Sequence, residues 1–145
     1  MSEHIIHLNW ARQGEFFHEG FERRHDIAFK PDVSIPAGGA GNAFGADPEQ
    51  MLAASMASCH MQTFLALAAK KRLQVESYED SASAEIAQRD DGKFWVPVIR
   101  LTPKAVFSGD KIPDEEAIRA MHEKAHAHCF IANSTSSDVI VEPQF

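Results

Sequence analysis

One stretch of the chain, "DPEQMLAASMASCHMQTFLALAAKKR" at residues 47–72, predicts a single long helix. Asp47 is a good N-cap, Pro48 suits the first helical position, and Gln50 completes a capping-box pattern with Asp47. We expect the helix to end at about Lys71, where basic residues complement the helix dipole. Because this helix is apolar on several sides, the rest of the chain has to cover it.

The composition of the helix indicates how it is covered. Small residues surround Cys59, and small residues let another backbone approach closely. The larger apolar side chains are spread over more than one face, which predicts a helix wrapped by a sheet and also buried at a subunit interface. We therefore expect a homodimer. These apolar residues are Met51, Leu52, Met56, Met61, Phe64, Leu65 and Ala68.

The remaining segments predict strands and one further helix. Proline and glycine signals mark the ends of the strands, and Pro97 and Pro103 indicate an edge or a bulge in one of them. The order strands–helix–strands–helix–strand is typical of an α+β fold with a mainly antiparallel sheet, here in one domain over residues 1–145. The expected strands are 4–10, 15–21, 75–88, 94–107 and 137–143; the expected loop is 35–50, the hairpin turn 91–92 and the second helix 113–128.

Composition and charge exclude several classes of function. A formal net charge of −7 argues against a nucleic-acid-binding surface and against an anionic membrane surface, since both need clustered Lys and Arg. Polar residues interrupt the apolar run at residues 51–69, which argues against a membrane span. The N-terminus has neither a basic leader nor an apolar signal core. We expect a soluble, cytoplasmic protein.

The chain has two cysteines, Cys59 and Cys129, and each has a histidine beside it. In a reducing compartment two such cysteines are free, bound to metal or redox-active more often than joined in a static disulfide. Cys59 is expected in the middle of the first helix and Cys129 at or just past the end of the second. The residues alone leave two readings open, a redox pair and a pair of buried structural cysteines.

A zinc site is the main alternative for these residues. Adjacent helical residues point about 100° apart, so Cys59 and His60 cannot readily bind one ion together, which disfavours zinc. The spacing of His122 and His126 could give a two-ligand helix site, but without an HExxH pattern it is more typical of a solvated face. The Cys₂His₂ set would be Cys59, His60, His128 and Cys129.

A redox cysteine needs a cation to stabilise its thiolate, and a peroxide substrate needs a proton for the departing oxygen. Candidates are Arg23 and Arg24 in "FERRHD" and Glu49 at the start of the long helix, although surface charge and the helix dipole also account for them. Ten residues separate Glu49 from Cys59, about 15 Å along a helix. If both serve one site, Glu49 must come from the partner subunit.

Three segments together resemble the OsmC/Ohr family, the osmotically inducible and organic-hydroperoxide-resistance proteins. They are the long helix, the segment "FSGDK" followed by an acidic helix and "AHCFIANS", and the closing strand "VIVEP". The specific features are the "DPEQ" start, a cysteine ten residues after the glutamate, and a second cysteine followed by a turn that contains Asn.

The resemblance implies an α+β fold in an intertwined homodimer, with thiol peroxidase chemistry that needs no haem, flavin or metal. Cys59 would attack the peroxide and become a sulfenic acid, and Cys129 would resolve it as an intramolecular disulfide. Glu49 matches the family glutamate, and Arg23 matches the thiolate-stabilising arginine, with Arg24 as an alternative. An external dithiol, such as a lipoyl protein or a thioredoxin-like donor, would restore the thiols.

Two positions depart from the organic-hydroperoxide-resistance members of the family. Those members have an aromatic residue after the first cysteine and a proline after the second, whereas this chain has His60 and Phe130. The chain therefore looks closer to the broader OsmC-like branch. For His60 we expect a packed or solvent-linked histidine rather than a general acid. The alternative function is binding of a small apolar ligand by the same fold, without peroxidase turnover.

Overall fold

The computed structural model describes all residues, 1–145, and divides into two compact units, Met1–Met51 and Leu52–Phe145. The chain has two α-helices and eight strands, with four antiparallel strand pairings and one parallel pairing. The α+β class and the mainly antiparallel pairing are therefore confirmed. The single domain and the homodimer stay predictions.

The first unit contains a three-stranded antiparallel sheet in the order β1-β2-β3. Its strands are β1 (His7–Asn9), β2 (His25–Lys30) and β3 (Val33–Ala37). The prediction of a strand at residues 15–21 is wrong, because this segment forms a turn in which Gly20 N–H donates to Phe17 C=O. Its aromatic rings pack locally instead, with the Phe16 and Phe21 centroids 5.4 Å apart. The predicted loop at 35–50 begins too early, since β3 extends to residue 37.

The long helix α1 spans Pro48–Lys70, as predicted to within one residue. Its capping box is present, since the Gln50 N–H donates to Asp47 Oδ1 at 2.8 Å and the Asp47 N–H donates to Gln50 Oε1 at 3.0 Å. At the other end Arg72 has a φ of 59° and the Leu73 N–H donates to Ala68 C=O. This is the Schellman arrangement, which turns the chain sharply into the next strand.

The second unit holds two sheets, and each of the two long predicted strands is divided into two. Strands β4 (Gln74–Glu79) and β7 (Lys104–Ser108) form one antiparallel pair. The other sheet has the order β5-β6-β8, in which β6 and β8 are parallel; its strands are β5 (Ser83–Gln88), β6 (Phe94–Leu101) and β8 (Asp138–Val141).

Both divisions of the strands lie at one contact between residues distant in the sequence. The Asp80 side chain accepts a hydrogen bond from the Thr102 N–H at 2.7 Å, so the two breaks in the strands lie together, next to the buried Pro103. Proline cannot donate to a strand ladder, and both predicted irregularities are present. Pro103 follows the end of β6, and Pro97 lies where the pairing of β6 with β5 shifts register, between the pairs Glu85–Val98 and Ala87–Trp95. The predicted turn at Asp91 and Gly92 joins β5 to β6, and Gly92 has a φ of 83°.

Helix α2 (Glu115–His128) begins at Asp114, whose side chain accepts from the Ala117 N–H, and a 3₁₀ turn (Ala132–Ser134) follows it. Helix α1 supplies residues to both apolar clusters of the second unit. In the first cluster its Phe64 and Ala68 pack against α2, β4 and β7. In the second cluster its Met56 packs against Ile99 and Leu101 of β6. The two clusters lie one after the other along α1.

By length and composition alone, α1 also qualifies as a membrane span, with a mean hydropathy of 1.2 over an 18-residue window that is 28% buried. By this criterion of length and composition, the sequence prediction that residues 51–69 are too polar for a membrane span is wrong. One such helix is weak evidence for a membrane protein, because the core helix of a soluble protein passes the same criterion.

Candidate redox site

The two cysteines lie in the same apolar cluster of the second unit, and both are free thiols. Cys59 is half-buried in the middle of α1, and Cys129 is the C-cap residue of α2, with none of its surface exposed. Their thiols lie near each other, and each shifts the pKa of the other. The fold therefore brings together two residues that are 70 positions apart in the sequence.

The surroundings of Cys59 favour its thiolate. Burial alone would raise the pKa of Cys59, but hydrogen bonds outweigh it and the pKa lies below its ordinary value. The largest of these bonds comes from the Cys129 thiol, followed by the backbone N–H groups of Ile131 and Phe130 and then by Thr63. Converging N–H groups stabilise a negative charge without a charged side chain, because each carries a partial positive charge.

The surroundings of Cys129 have the opposite effect. Burial and the hydrogen bond with Cys59 raise the pKa of the Cys129 thiol, so it stays protonated when Cys59 ionises. The chain after Cys129 turns tightly, with the Ala132 N–H 3.4 Å from Cys129 Sγ and the Asn133 N–H donating to Cys129 C=O at 3.0 Å. The N–H groups of Phe130 and Ile131, in the same turn, lower the pKa of Cys59.

The two cysteines are therefore chemically unequal. A thiolate is the attacking species in thiol chemistry, so Cys59 is suited to react first with an electrophile. Cys129 lies in the same apolar cluster and is shielded from solvent, so it is suited to attack an oxidised Cys59 afterwards. The two pKa directions favour Cys59 as an attacking thiol and Cys129 as a resolving thiol.

Alkylation should report this inequality directly. We expect iodoacetamide to modify Cys59 before Cys129, and Cys129→Ala to shift the pH midpoint of Cys59 alkylation upwards, because the largest stabilising hydrogen bond is lost. Peptide mapping after timed quenching measures both rates. Phe130→Ala is the matched control, since the Phe130 side chain is 81% exposed and its backbone N–H is kept. An unchanged midpoint in Cys129→Ala would contradict the hydrogen-bonded pair.

His60 and His122 form a second buried pair. His60 Nε2 lies 2.9 Å from His122 Nδ1, and only 1% and 2% of the two side chains are exposed. The prediction that His60 is packed is confirmed, whereas the prediction of a solvated face is wrong for His122. The sequence does hold a signal for this, because position 122 follows Ile118 by four residues and precedes Ala125 by three, on the buried face of α2.

The histidines do not form a metal cluster with the cysteines. His128 is exposed and its Nδ1 is bonded to Lys124 C=O, while His60 is bonded to His122. No group of three or more His, Cys, Asp and Glu side chains is placed to hold a metal ion. His126 lies next to the buried pair, with its Nδ1 buried and without a hydrogen-bond partner.

The other predicted site residues, Arg23, Arg24 and Glu49, belong to the first unit. Arg23 lies 4.1 Å above the Phe21 ring and lines an apolar groove of about 500 Å³, whereas Arg24 lies 3.8 Å above the Phe44 ring. The Glu49 Oε2 is buried and has no hydrogen-bond partner. Their roles toward Cys59 stay predictions.

Sequence reasoning missed the backbone part of the site. The N–H groups of Phe130 and Ile131 act on Cys59 although neither side chain has redox chemistry, so residue identity does not predict them. The only signal is the apolar "CFIAN" segment after α2, which has to turn back to bury its cysteine.

These features define an α+β protein with a paired, unequal dithiol. A family model described as OsmC-like protein matches residues 38–144, and the chain belongs to the OsmC family. The predicted family is therefore confirmed, and the chain has a soluble OsmC-like fold. A search of curated proteins finds no match.

Solved structures agree with this assignment. An OsmC-like protein of unknown function from Vibrio cholerae is 36% identical, with a TM-score of 0.91, over 99% of this chain and 100% of that one. An OsmC organic hydroperoxide resistance protein from Legionella pneumophila is 16% identical, with a TM-score of 0.71, over 100% of both chains. The organic hydroperoxide resistance protein OhrB of Bacillus subtilis is 18% identical, with a TM-score of 0.67, over 97% and 96%.

Proposed function

We propose that this protein is a thiol-dependent peroxidase that reduces organic hydroperoxides in oxidative-stress defence. The observation that carries the proposal is a pair of neighbouring free cysteines in one apolar cluster, in which Cys59 has a lowered pKa and Cys129 a raised one. Family membership and the organic hydroperoxide resistance of two structural neighbours supply the substrate class.

In the first step the Cys59 thiolate attacks one oxygen of the peroxide. An S–O bond forms, the O–O bond breaks, and the organic part leaves as an alcohol after taking up a proton. Cys59 becomes a sulfenic acid, so sulfur loses the two electrons that the peroxide gains. Arg23 would stabilise the thiolate, with Arg24 as the alternative, and Glu49 would supply a carboxyl group with a free bonding position.

In the second step the Cys129 sulfur attacks the Cys59 sulfenic acid. A disulfide forms and the hydroxyl group leaves as water with the Cys129 proton. In the third step an external dithiol reduces the disulfide by two thiol exchanges and becomes a disulfide itself. A lipoyl protein or a thioredoxin-like donor has this chemistry. The cycle uses no haem, flavin or metal.

The working form would be a cytoplasmic homodimer. Much of the apolar helix α1 is left uncovered in a single chain, since only 28% of its most apolar window is buried. A second copy of the chain is the partner that we propose for this surface, because a twofold interface buries the same patch on both subunits. Glu49 lies about 15 Å along α1 from Cys59, so it would serve the Cys59 of the other subunit.

Steady-state turnover tests the proposal. We expect purified protein to consume tert-butyl hydroperoxide with a dithiol as reductant, and to do so more slowly with a monothiol, because a dithiol completes the second exchange intramolecularly. Alkylated protein is the control for background reduction. Absence of turnover with dithiothreitol and with a dihydrolipoyl donor would contradict the proposal.

A second candidate function is the binding of a small apolar ligand. The observation in its favour is the groove of about 500 Å³ in the first unit, whose lining is almost entirely apolar. Under this alternative Cys59→Ser leaves ligand affinity unchanged and peroxide turnover is absent in every variant. Fluorescence titration with an apolar dye, on wild type and Cys59→Ser, separates the two functions. The lining residues include Leu8, Trp10, Phe16, Phe21, Arg23 and His25.

A further inference from the structure

We propose that the hydrogen bond between His60 and His122 positions the two thiols, by holding the segment that carries Cys59 against the helix that ends at Cys129. The inference extends the proposed function, since a resolving step needs the thiols in contact. It assigns a task to two residues that take no part in the peroxide chemistry.

The pair is built as a rigid contact. The two imidazole rings are nearly parallel, with an angle of 4° between their planes and 5.2 Å between their centroids. Phe64 of α1 also stacks on the His122 ring, with centroids 4.2 Å apart. His122 is thus held by two residues of α1, one through a hydrogen bond and one through ring stacking.

The placement of the pair relates it to the cysteines. His60 follows Cys59 directly on α1, and His122 precedes Cys129 by seven residues on α2. Seven residues are about two turns, so both face the same side of α2, about 10.5 Å apart along it. The imidazole contact and the thiol contact therefore join the same two segments at two points. Two points fix the orientation of the helices, whereas one would leave them free to rotate.

Burial of the His60–His122 pair costs free energy, because each ring has a nitrogen without a hydrogen-bond partner. Buried polar groups are normally fully hydrogen-bonded, but His60 Nδ1 and His122 Nε2 are buried without partners. An apolar pair at these positions would avoid that cost. The bond between the rings is therefore the feature that these two histidines supply and that leucine or phenylalanine would not.

The test measures how strongly the fold favours the Cys59–Cys129 disulfide. The full chain is equilibrated with reduced and oxidised glutathione at pH 7.5, quenched with acid and analysed by intact mass. We expect His122→Phe, which keeps the stacking on Phe64 but loses the bond, to lower the equilibrium constant about tenfold. This corresponds to a reduction potential about 30 mV higher for a two-electron couple.

Conservative replacement separates positioning from a general structural role. The Asn side-chain amide can occupy the place of Nδ1, so His122→Asn should restore the equilibrium constant to within about twofold of wild type. His128→Ala, an exposed histidine at the end of the same helix, should leave it unchanged. If His122→Phe does not fold, His60→Leu takes the place of His122→Phe in the experiment, and the conservative variant His60→Gln takes the place of His122→Asn.

Two results overturn the inference. One is a His122→Phe variant with the wild-type equilibrium constant, and the other is a His122→Asn variant as impaired as His122→Phe. The glutathione equilibrium involves no peroxide. If the proposed peroxidase function is wrong, turnover is absent but His122→Phe still lowers the equilibrium constant. If this inference is wrong, turnover is present but His122→Phe leaves the equilibrium constant unchanged.

Discussion

Cys59→Ser should lower the rate of dithiol-dependent hydroperoxide reduction by roughly a thousandfold or more, because removal of a catalytic nucleophile leaves only binding and background reaction. A serine hydroxyl stays protonated at neutral pH and its oxygen cannot be oxidised to the equivalent of a sulfenic acid. The measurement is the initial rate of tert-butyl hydroperoxide loss at equal protein concentrations. Ser58→Ala, at the exposed neighbouring position of α1, is the matched control and should keep the wild-type rate.

Cys129→Ser should behave differently from Cys59→Ser. Its Cys59 is still present, so one equivalent of peroxide should be consumed and a sulfenic acid should accumulate at Cys59. Dimedone labelling followed by peptide mapping detects that species. Equal initial rates of tert-butyl hydroperoxide loss in wild type and Cys59→Ser would contradict the assignment of Cys59 as the attacking thiol. A Cys129→Ser variant that turns over like wild type with dithiothreitol would contradict the resolving role.

The second large effect is a loss of stability in mild acid, caused by the buried imidazoles. Burial lowers the pKa of His60 to about 4, with a further contribution from His126, and lowers that of His122 to about 4, with a further contribution from His60. In the unfolded chain a histidine has a pKa near 6.5. Between these values the unfolded state binds more protons, so the free energy of unfolding falls as the pH falls from about 6.5 to about 4.

The size of the effect follows from the pKa difference. For one imidazole, a pKa of about 4 in the folded protein against about 6.5 in the unfolded chain corresponds to roughly 3 kcal/mol in the free energy of unfolding. The two imidazoles together account for less than twice that amount, because their protonations are coupled. No carboxylate forms an ion pair with either ring to compensate for the charge. Urea unfolding at pH 7, 6, 5 and 4 measures the decline.

Carboxylates also titrate toward the lower end of this range, so the result rests on a comparison between variants. The double variant His60→Leu/His122→Phe keeps an apolar pair beside Phe64 and has no buried imidazole to protonate. Its free energy of unfolding should decline less between pH 6.5 and 4, by roughly 3 kcal/mol or more. Removal of the exposed His128 serves as control. If the free energy of unfolding declines equally with pH in wild type and in the double variant, the claim that His60 and His122 are buried and neutral is contradicted.

The sequence predicted the parts of the fold that depend on local chemistry. The capping box at Asp47 and Gln50, the basic end of α1 and the turn at Gly92 each act within a few residues, and the structure contains all of them. It also predicted that Cys129 lies at the end of α2, where Cys129 is the C-cap residue. Such features can be read from the chain because their partners are neighbours in sequence.

The errors in the fold came from side-chain contacts that strand propensity does not report. The two long strands were predicted as continuous because each is rich in strand-forming residues, but the hydrogen bond between Asp80 and Thr102 stops both at the same place. The aromatic residues at 15–21 were read as a strand for the same reason, yet Phe16 packs against Trp10 and Phe21 instead. Local propensity does not report which distant group a side chain meets.

The candidate site likewise has features that the sequence predicted and features that it did not. Cys59 and Cys129 were recognised by residue type, and their contact is a fact of the fold. The His60–His122 pair was missed, because two histidines 62 positions apart give no sign of sharing a hydrogen bond. The backbone N–H groups of Phe130 and Ile131 could not be predicted from residue identity at all. The sequence thus identified the two cysteines that the fold brings near each other, but not the groups that shift their pKa values in opposite directions.

One measurement tests the central claim most directly, namely that Cys59 and Cys129 form a peroxide-driven disulfide within one chain. Fully reduced protein is treated with one equivalent of tert-butyl hydroperoxide and then mapped by mass spectrometry without reduction. The account predicts a chain that has lost two hydrogens, with the peptides of Cys59 and Cys129 joined and no link between chains. Two free thiols after exposure, or a Cys59 oxidised beyond the sulfenic acid beside an unreacted Cys129, would contradict it.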